Sequence, residues 1–125
     1  MLLSYLIRGL TKIRILNHKD VELKDAGEGA SKLKVRWLIT RETGAPNFVM
    51  RLFEMEPEGH SPLHEHPWEH EVFVLEGEGT VVGSEGESSF KTGDVVFVPP
   101  NEKHQFRNSS GKNVRFLCLV PLKRE

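Results

Sequence analysis

Turns interrupt this chain before any helix has room to form. Breaks rich in Gly, Pro, Asn and Ser at positions 26–31, 44–47, 57–59, 77–79, 84–87, 93–94, 99–101 and 109–111 cut it into short apolar or alternating runs. Glycine and proline are the strongest local punctuators, and short runs of β-favouring residues between them read as strands. About nine strands follow. The clearest are Val35–Thr40, Phe48–Glu56, Glu71–Glu76, Thr80–Gly83, Ser88–Thr92, Val95–Val98, His104–Asn108 and Val114–Val120, with a short apolar run at Ile13–Leu16 and an edge-type stretch at Asp20–Lys24. No segment has the period of an amphipathic helix. The fold class is therefore all-β, an antiparallel barrel or jelly roll.

Side chains alternate faces along a strand, so parity assigns the interior. Arg115 marks one face of the last strand as outward, which turns Val114, Phe116, Cys118 and Val120 inward. Val95–Val98 is apolar throughout and reads as buried on both faces. The Phe48–Glu56 strand leaves two choices open. Either Phe48, Met50 and Leu52 face inward, or Val49, Arg51, Phe53 and Met55 do; the second makes Arg51 a buried cation and an anchor for an anionic substrate. Trp37 is read as a core or interface anchor.

Four of the chain's histidines, His60, His64, His66 and His70, lie between His60 and Glu71. A solvated loop has no physical reason to collect so many imidazoles. His64 and His66 share a face of an extended segment, and His70 shares it too if the strand resumes after Pro67. Converging neutral imidazoles suit a borderline transition metal. The helical His-Glu-x-x-His motif of zinc proteases is absent, and Pro67 would break its helix.

With 125 residues the chain fits one domain, and a net charge of −1 with mixed signs offers no footprint for nucleic acid or an anionic membrane. Cys118 is the single cysteine, so no intrachain disulfide exists, and a reducing cytoplasm is the expected compartment. Residues 1–7 are apolar, but Arg8 interrupts them and no cleavage site follows. They are too short to span a bilayer. We read residues 1–12 as an extension or extra strand and 13–125 as a single domain. Glutamine occurs only at Gln105 while Glu and Lys abound, a weak sign of a heat-adapted source.

Two motifs resemble the cupin superfamily. Gly93, Pro99, Asn101, His104 and Asn108 fall on its second motif, G-x5-P-x-G-x2-H-x3-N, with Asn101 in place of the central glycine. Asn tolerates the same left-handed backbone. His64 and His66 match the His-x-His of the first motif, with Gly59 one residue closer than usual. Its glutamate position holds His70, followed at the right distance by Gly77; Glu71 fits only by shortening that distance and reversing parity. The stretch from Ala45 to Phe53, His66–His70 and Phe116–Leu119 are similar to small single-domain cupins with four histidines and no carboxylate.

That resemblance covers Ile13 to Pro121 and implies a double-stranded β-helix with one divalent metal on His64, His66, His70 and His104. It implies manganese, although iron, nickel, copper or zinc suit the same donors. Neutral ligands leave the full charge on the ion and two adjacent positions open. Glu65, Glu69, Glu71 and Glu102 are candidates to fix the ring tautomers; His60 and His18 are not expected as ligands. The first functional expectation is an oxidoreductase of the dioxygenase type acting on a small, partly hydrophobic molecule. The second is an isomerase or lyase of a small sugar or keto acid using Glu69 or Glu71 as acid or base, and the third a non-catalytic binding module. Similar small cupins imply a homodimer, with residues 1–12 able to supply an exchanged strand.

Overall fold

The computed structural model describes residues 13–122. Nine strands appear among them: β1 (Lys24–Asp25), β2 (Ser31–Ile39), β3 (Phe48–His60), β4 (His70–Glu76), β5 (Glu78–Gly83), β6 (Gly86–Lys91), β7 (Val95–Val98), β8 (Gln105–Arg107) and β9 (Val114–Pro121). All their pairings are antiparallel. The long strand β3 organises the rest. It pairs with β2 on one edge and β9 on the other, and its last residue, His60, reaches Arg107 of β8. One path runs from β3 through β9 and β4 to β7, and the other through β8 and β5 to β6, so a single sheet curls into a jelly-roll barrel.

Strand β3 is long because the expected turn at Pro57-Glu58-Gly59 is a kink within it. Glu58 takes a left-handed φ of 68°, and the chain continues as strand to His60. Gly59 is required there, since a Cβ would lie 2.6 Å from the Lys32 carbonyl oxygen. Asn101 also adopts the left-handed conformation, with φ of 66°. It therefore does what the motif's glycine would do. The expected Asp20–Lys24 strand is instead a 3-10 turn over His18–Asp20, which the Asn17 side chain caps, followed by the two-residue β1.

The interior is lined by the inward residues of β3, β4 and β9 together with Leu33, Phe90, Val98 and Phe106. Met55, Val74 and Val114 are completely buried at one end. Asn108 locks this end: its Nδ2 donates to the carbonyls of Met55 and Lys112 at 3.0 and 2.7 Å, and its Oδ1 accepts from Ser110 N–H. On β9 the inward set is the expected one, with Val114, Phe116 and Cys118 buried.

Strand β7 corrects the expectation of burial on both faces. It ends the β3–β9–β4–β7 path, and among the described residues it pairs with β4 alone. Val98 is buried, but Val95 and Phe97 are 76% and 60% exposed. With Phe73, Leu117 and Leu119 they form an apolar outer face around a concavity of about 470 Å³. The expected extension or extra strand at residues 1–12 lies outside the described residues, as do residues 123–125. No helix among those described is long and apolar enough to cross a membrane.

Candidate metal centre

Three segments bring the histidines together. His70 opens β4 opposite Val98, on the inward parity it shares with Val72 and Val74. His64 and His104 exchange backbone hydrogen bonds, N–H to carbonyl in both directions at 3.1 and 2.9 Å, as an isolated antiparallel bridge. The His66 carbonyl accepts from Asn101 N–H at 2.7 Å. The left-handed Asn101 thus ties the His-x-His segment to the loop that carries His104.

One ring nitrogen from each of His64, His66, His70 and His104 lies within 4.8 Å of all the others, so the four can hold a metal ion. His66 Nε2 and His70 Nε2 are 2.9 Å apart. His66 Nδ1 lies 2.9 Å from the Trp68 carbonyl and His104 Nδ1 lies 2.8 Å from the Glu102 carbonyl. A carbonyl only accepts, so each Nδ1 carries the proton and each Nε2 presents a lone pair to the centre. That donor set fits a borderline divalent ion. Burial lowers the pKa of His64 and of His66, with His104 and Arg51 acting in the same direction on both and the hydrogen bond to the Trp68 carbonyl opposing it at His66. His70 falls to about 3, from burial first and the Arg51 charge next. These rings stay neutral and available to a metal at neutral pH.

The carboxylates expected to orient the rings do not do so. Glu65 and Glu71 are exposed, and Glu71 points to the outer face beside Phe73. Glu69 lies with Glu71 at a separate outer concavity. Glu102 acts through its backbone carbonyl, while its carboxylate accepts from the Ser84 N–H and hydroxyl, which lowers its pKa. Among the described residues no carboxylate hydrogen-bonds any of the four rings. His60 Nδ1 sits by the Ser61 carbonyl and His18 lies in the first 3-10 turn, both outside the cluster.

The partners of His70 are a thiol and a guanidinium. Cys118 Sγ lies 3.2 Å and Arg51 Nη2 3.4 Å from its Nδ1, and Arg51 Nη2 donates to Cys118 Sγ at 3.1 Å. The second parity choice for β3 is therefore the observed one. Burial raises the pKa of Cys118, against the opposing pull of Arg51. Trp37 is not in the core: at 44% exposure its ring packs against the Arg51 guanidinium. The Trp68 ring stacks on His66 with centroids 4.4 Å apart. His64, His66 and His70 open into a cavity of about 1430 Å³ whose walls include Trp37, Arg51 and Trp68.

Residues 51–120 match the family model described as Cupin domain. This chain belongs to the cupin family. The cupin is similar in structure to the polyketide cyclase RemF from Streptomyces resistomycificus, with 34% identity, a TM-score of 0.84, and coverage of 90% of this chain and 81% of that one. It is also similar to a cupin-2 domain of Rhodospirillum rubrum, with 29% identity, a TM-score of 0.75, and coverage of 84% and 72%. A curated relative, the 1-methylthio-D-xylulose 5-phosphate methylsulfurylase of R. rubrum, is 36% identical over 76 residues, which make up 61% of this cupin. The match spans 49% of that relative's length.

Proposed function

We propose that this cupin is a metal-dependent enzyme that stabilises anionic, enolate-type states of a small, partly hydrophobic molecule, in a cyclisation, isomerisation or lyase reaction. The observation that carries the reading is the convergence of four imidazoles on one point that opens into a cavity, with no carboxylate in the group among the described residues. His64, His66, His70 and His104 would hold the ion, and manganese is the metal the family resemblance implies. The bound ion would supply Lewis acidity, favouring the anionic form of a carbonyl compound. Arg51, beside His70, adds a second positive charge facing the same space. Trp37 and Trp68 would hold the apolar part of the molecule. Glu69 and Glu71, the acid or base candidates from the sequence, do not line this cavity. The reading therefore suits a substrate whose C–H is acidic enough, as between two carbonyls, to release its proton to water in the open mouth. The name of one structural relative, a polyketide cyclase, supports the cyclisation reading.

Dioxygenase-type oxidation is the second reading. It is favoured by the opening of His64, His66 and His70 into the cavity, where a bound ion would be reachable by a substrate and by dioxygen. A homodimer in the cytoplasm is the setting we assign to either reaction, supported by the apolar outer face of β4, β7 and β9. The test begins with metal analysis of untagged protein, with and without His70→Ala. About one ion per chain, lost in the variant, is expected. Substrates bearing 1,3-dicarbonyl groups are then offered with and without dioxygen. Turnover indifferent to oxygen supports the first reading, and stoichiometric oxygen uptake moves the assignment to the second. An intact metal site with no turnover in either assay would make the protein a binding module.

A further inference from the structure

We propose that Arg51 is the anion-reading residue of the cavity, and that the ligand it admits is a small carboxylate bearing a flat apolar group. This deepens the functional reading above and rests partly on it, through the charge of the metal. The geometry of Arg51 stands without it.

The other arginines whose ion pairs define the surface each face a carboxylate: Arg36 meets Glu54, Arg107 meets Glu87 and Arg115 meets Glu76. Arg51 faces none within 4.0 Å among the described residues. Its guanidinium packs against the Phe53 ring at 4.9 Å and the Trp37 ring at 5.5 Å, and its hydrogen-bond partners among the described residues are weak ones, the sulfur of Cys118 at 3.1 Å and His70 Nδ1 at 3.4 Å. Its Nε is buried with no acceptor among the described residues. A partly buried guanidinium in this state is costly, and a negatively charged ligand removes the cost.

The aromatic clamp also fixes where the charge is presented. Arg51 and Trp37 line the same cavity as His64, His66 and His70. Arg51 Nη2 lies 3.4 Å from His70 Nδ1, which places the guanidinium directly behind one histidine of the centre. A planar fork matches a carboxylate edge to edge, and the exposed Trp37 face beside it suits a flat apolar group. Arg36 and Arg41 also line the cavity, but at the histidine cluster the guanidinium in contact with a ring is that of Arg51, and one fork at that point suits a carboxylate better than a phosphoryl dianion, which calls for more donors.

The test uses the full chain, metal-loaded and metal-stripped, with metal content measured in every sample. Calorimetry compares mandelate, its neutral isostere mandelamide, and phenyl phosphate, on wild type, Arg51→Gln and Arg51→Lys. Wild type is expected to bind mandelate at least about tenfold more tightly than mandelamide. Arg51→Gln, at unchanged metal content, should weaken mandelate by roughly ten- to hundredfold and leave mandelamide alone, and Arg51→Lys should recover part of the loss. Equal binding of acid and amide by wild type, or no binding of either, overturns the proposal. So does full mandelate affinity in Arg51→Gln, and phenyl phosphate binding tighter than mandelate overturns the carboxylate assignment. Should Arg51→Gln not fold, Arg51→Lys decides: weaker mandelate at full metal content supports the proposal, and unchanged affinity overturns it. If loaded and stripped protein bind mandelate alike and both depend on Arg51, the metal reading fails and the Arg51 assignment stands.

Discussion

The two ends of this barrel are built on the same three strands and behave as different materials. Toward one end the inward positions of β3, β4 and β9 are Met55, Val74 and Val114, all fully buried. Toward the other the same faces of the same strands carry Arg51, His70 and Cys118, in mutual contact. The aliphatic end gains from every group it takes out of water. The histidine end buries polar groups whose best partners are an ion and a ligand, so it holds stability in reserve for function. A few residues along one strand thus separate what makes the fold from what uses it.

That contrast can be broken most forcefully at the aliphatic end. Met55→Ala should cost about 2–5 kcal/mol in urea unfolding, through lost transfer energy and a residual cavity, while the folded fraction still takes up metal. His70→Leu should do the reverse. Metal uptake is lost, yet the metal-free variant should unfold at higher urea than metal-free wild type, by about 0.5–2 kcal/mol, because an apolar side chain suits the burial better. Equal destabilisation in both respects would show that the two ends are one material.

Acid separates the ends without mutation. The folded pKa of His70, about 3, lies below its ordinary value of 6.5, so between these the unfolded chain binds the proton and the fold does not. Stability of the metal-free protein should then be complete above about 6.5 and fall as pH drops toward 3, with His64 and His66 adding in the same sense. Hydrogen exchange should show the segments around His64 and His104 losing protection before those around Met55 and Val114. The smallest effect is expected at Glu71→Ala. Its side chain is on the outer face, so metal content should not change and stability should move by less than about 0.5 kcal/mol.

Single markers made two strands legible. The inward turn of His70, with Glu71 outward, followed from the motif spacing to Gly77, and the inward set on β9 followed from Arg115 marking the other face. Strand β3 was ambiguous since Leu52 is buried on the face opposite Arg51, so both faces of the strand are covered. The exposure of Val95 and Phe97 was illegible for a related reason. An apolar run states what a strand prefers, and only the sheet order reveals that nothing among the described residues covers β7. The ring partners were missed because carboxylates are visible in a sequence and backbone carbonyls are not. Those of Trp68 and Glu102 reach His66 and His104 only through the loop conformations.

The reciprocal backbone bridge between His64 and His104 bears on how such a centre lives through metal turnover. Since main chain, not the ion, clips these two segments together, losing the ion need not let the site fall open. The vacated rings should wait in place for the next ion to arrive. Ions could then be exchanged many times over the life of one polypeptide, and the metal found in it would follow whatever the surroundings supply at that moment.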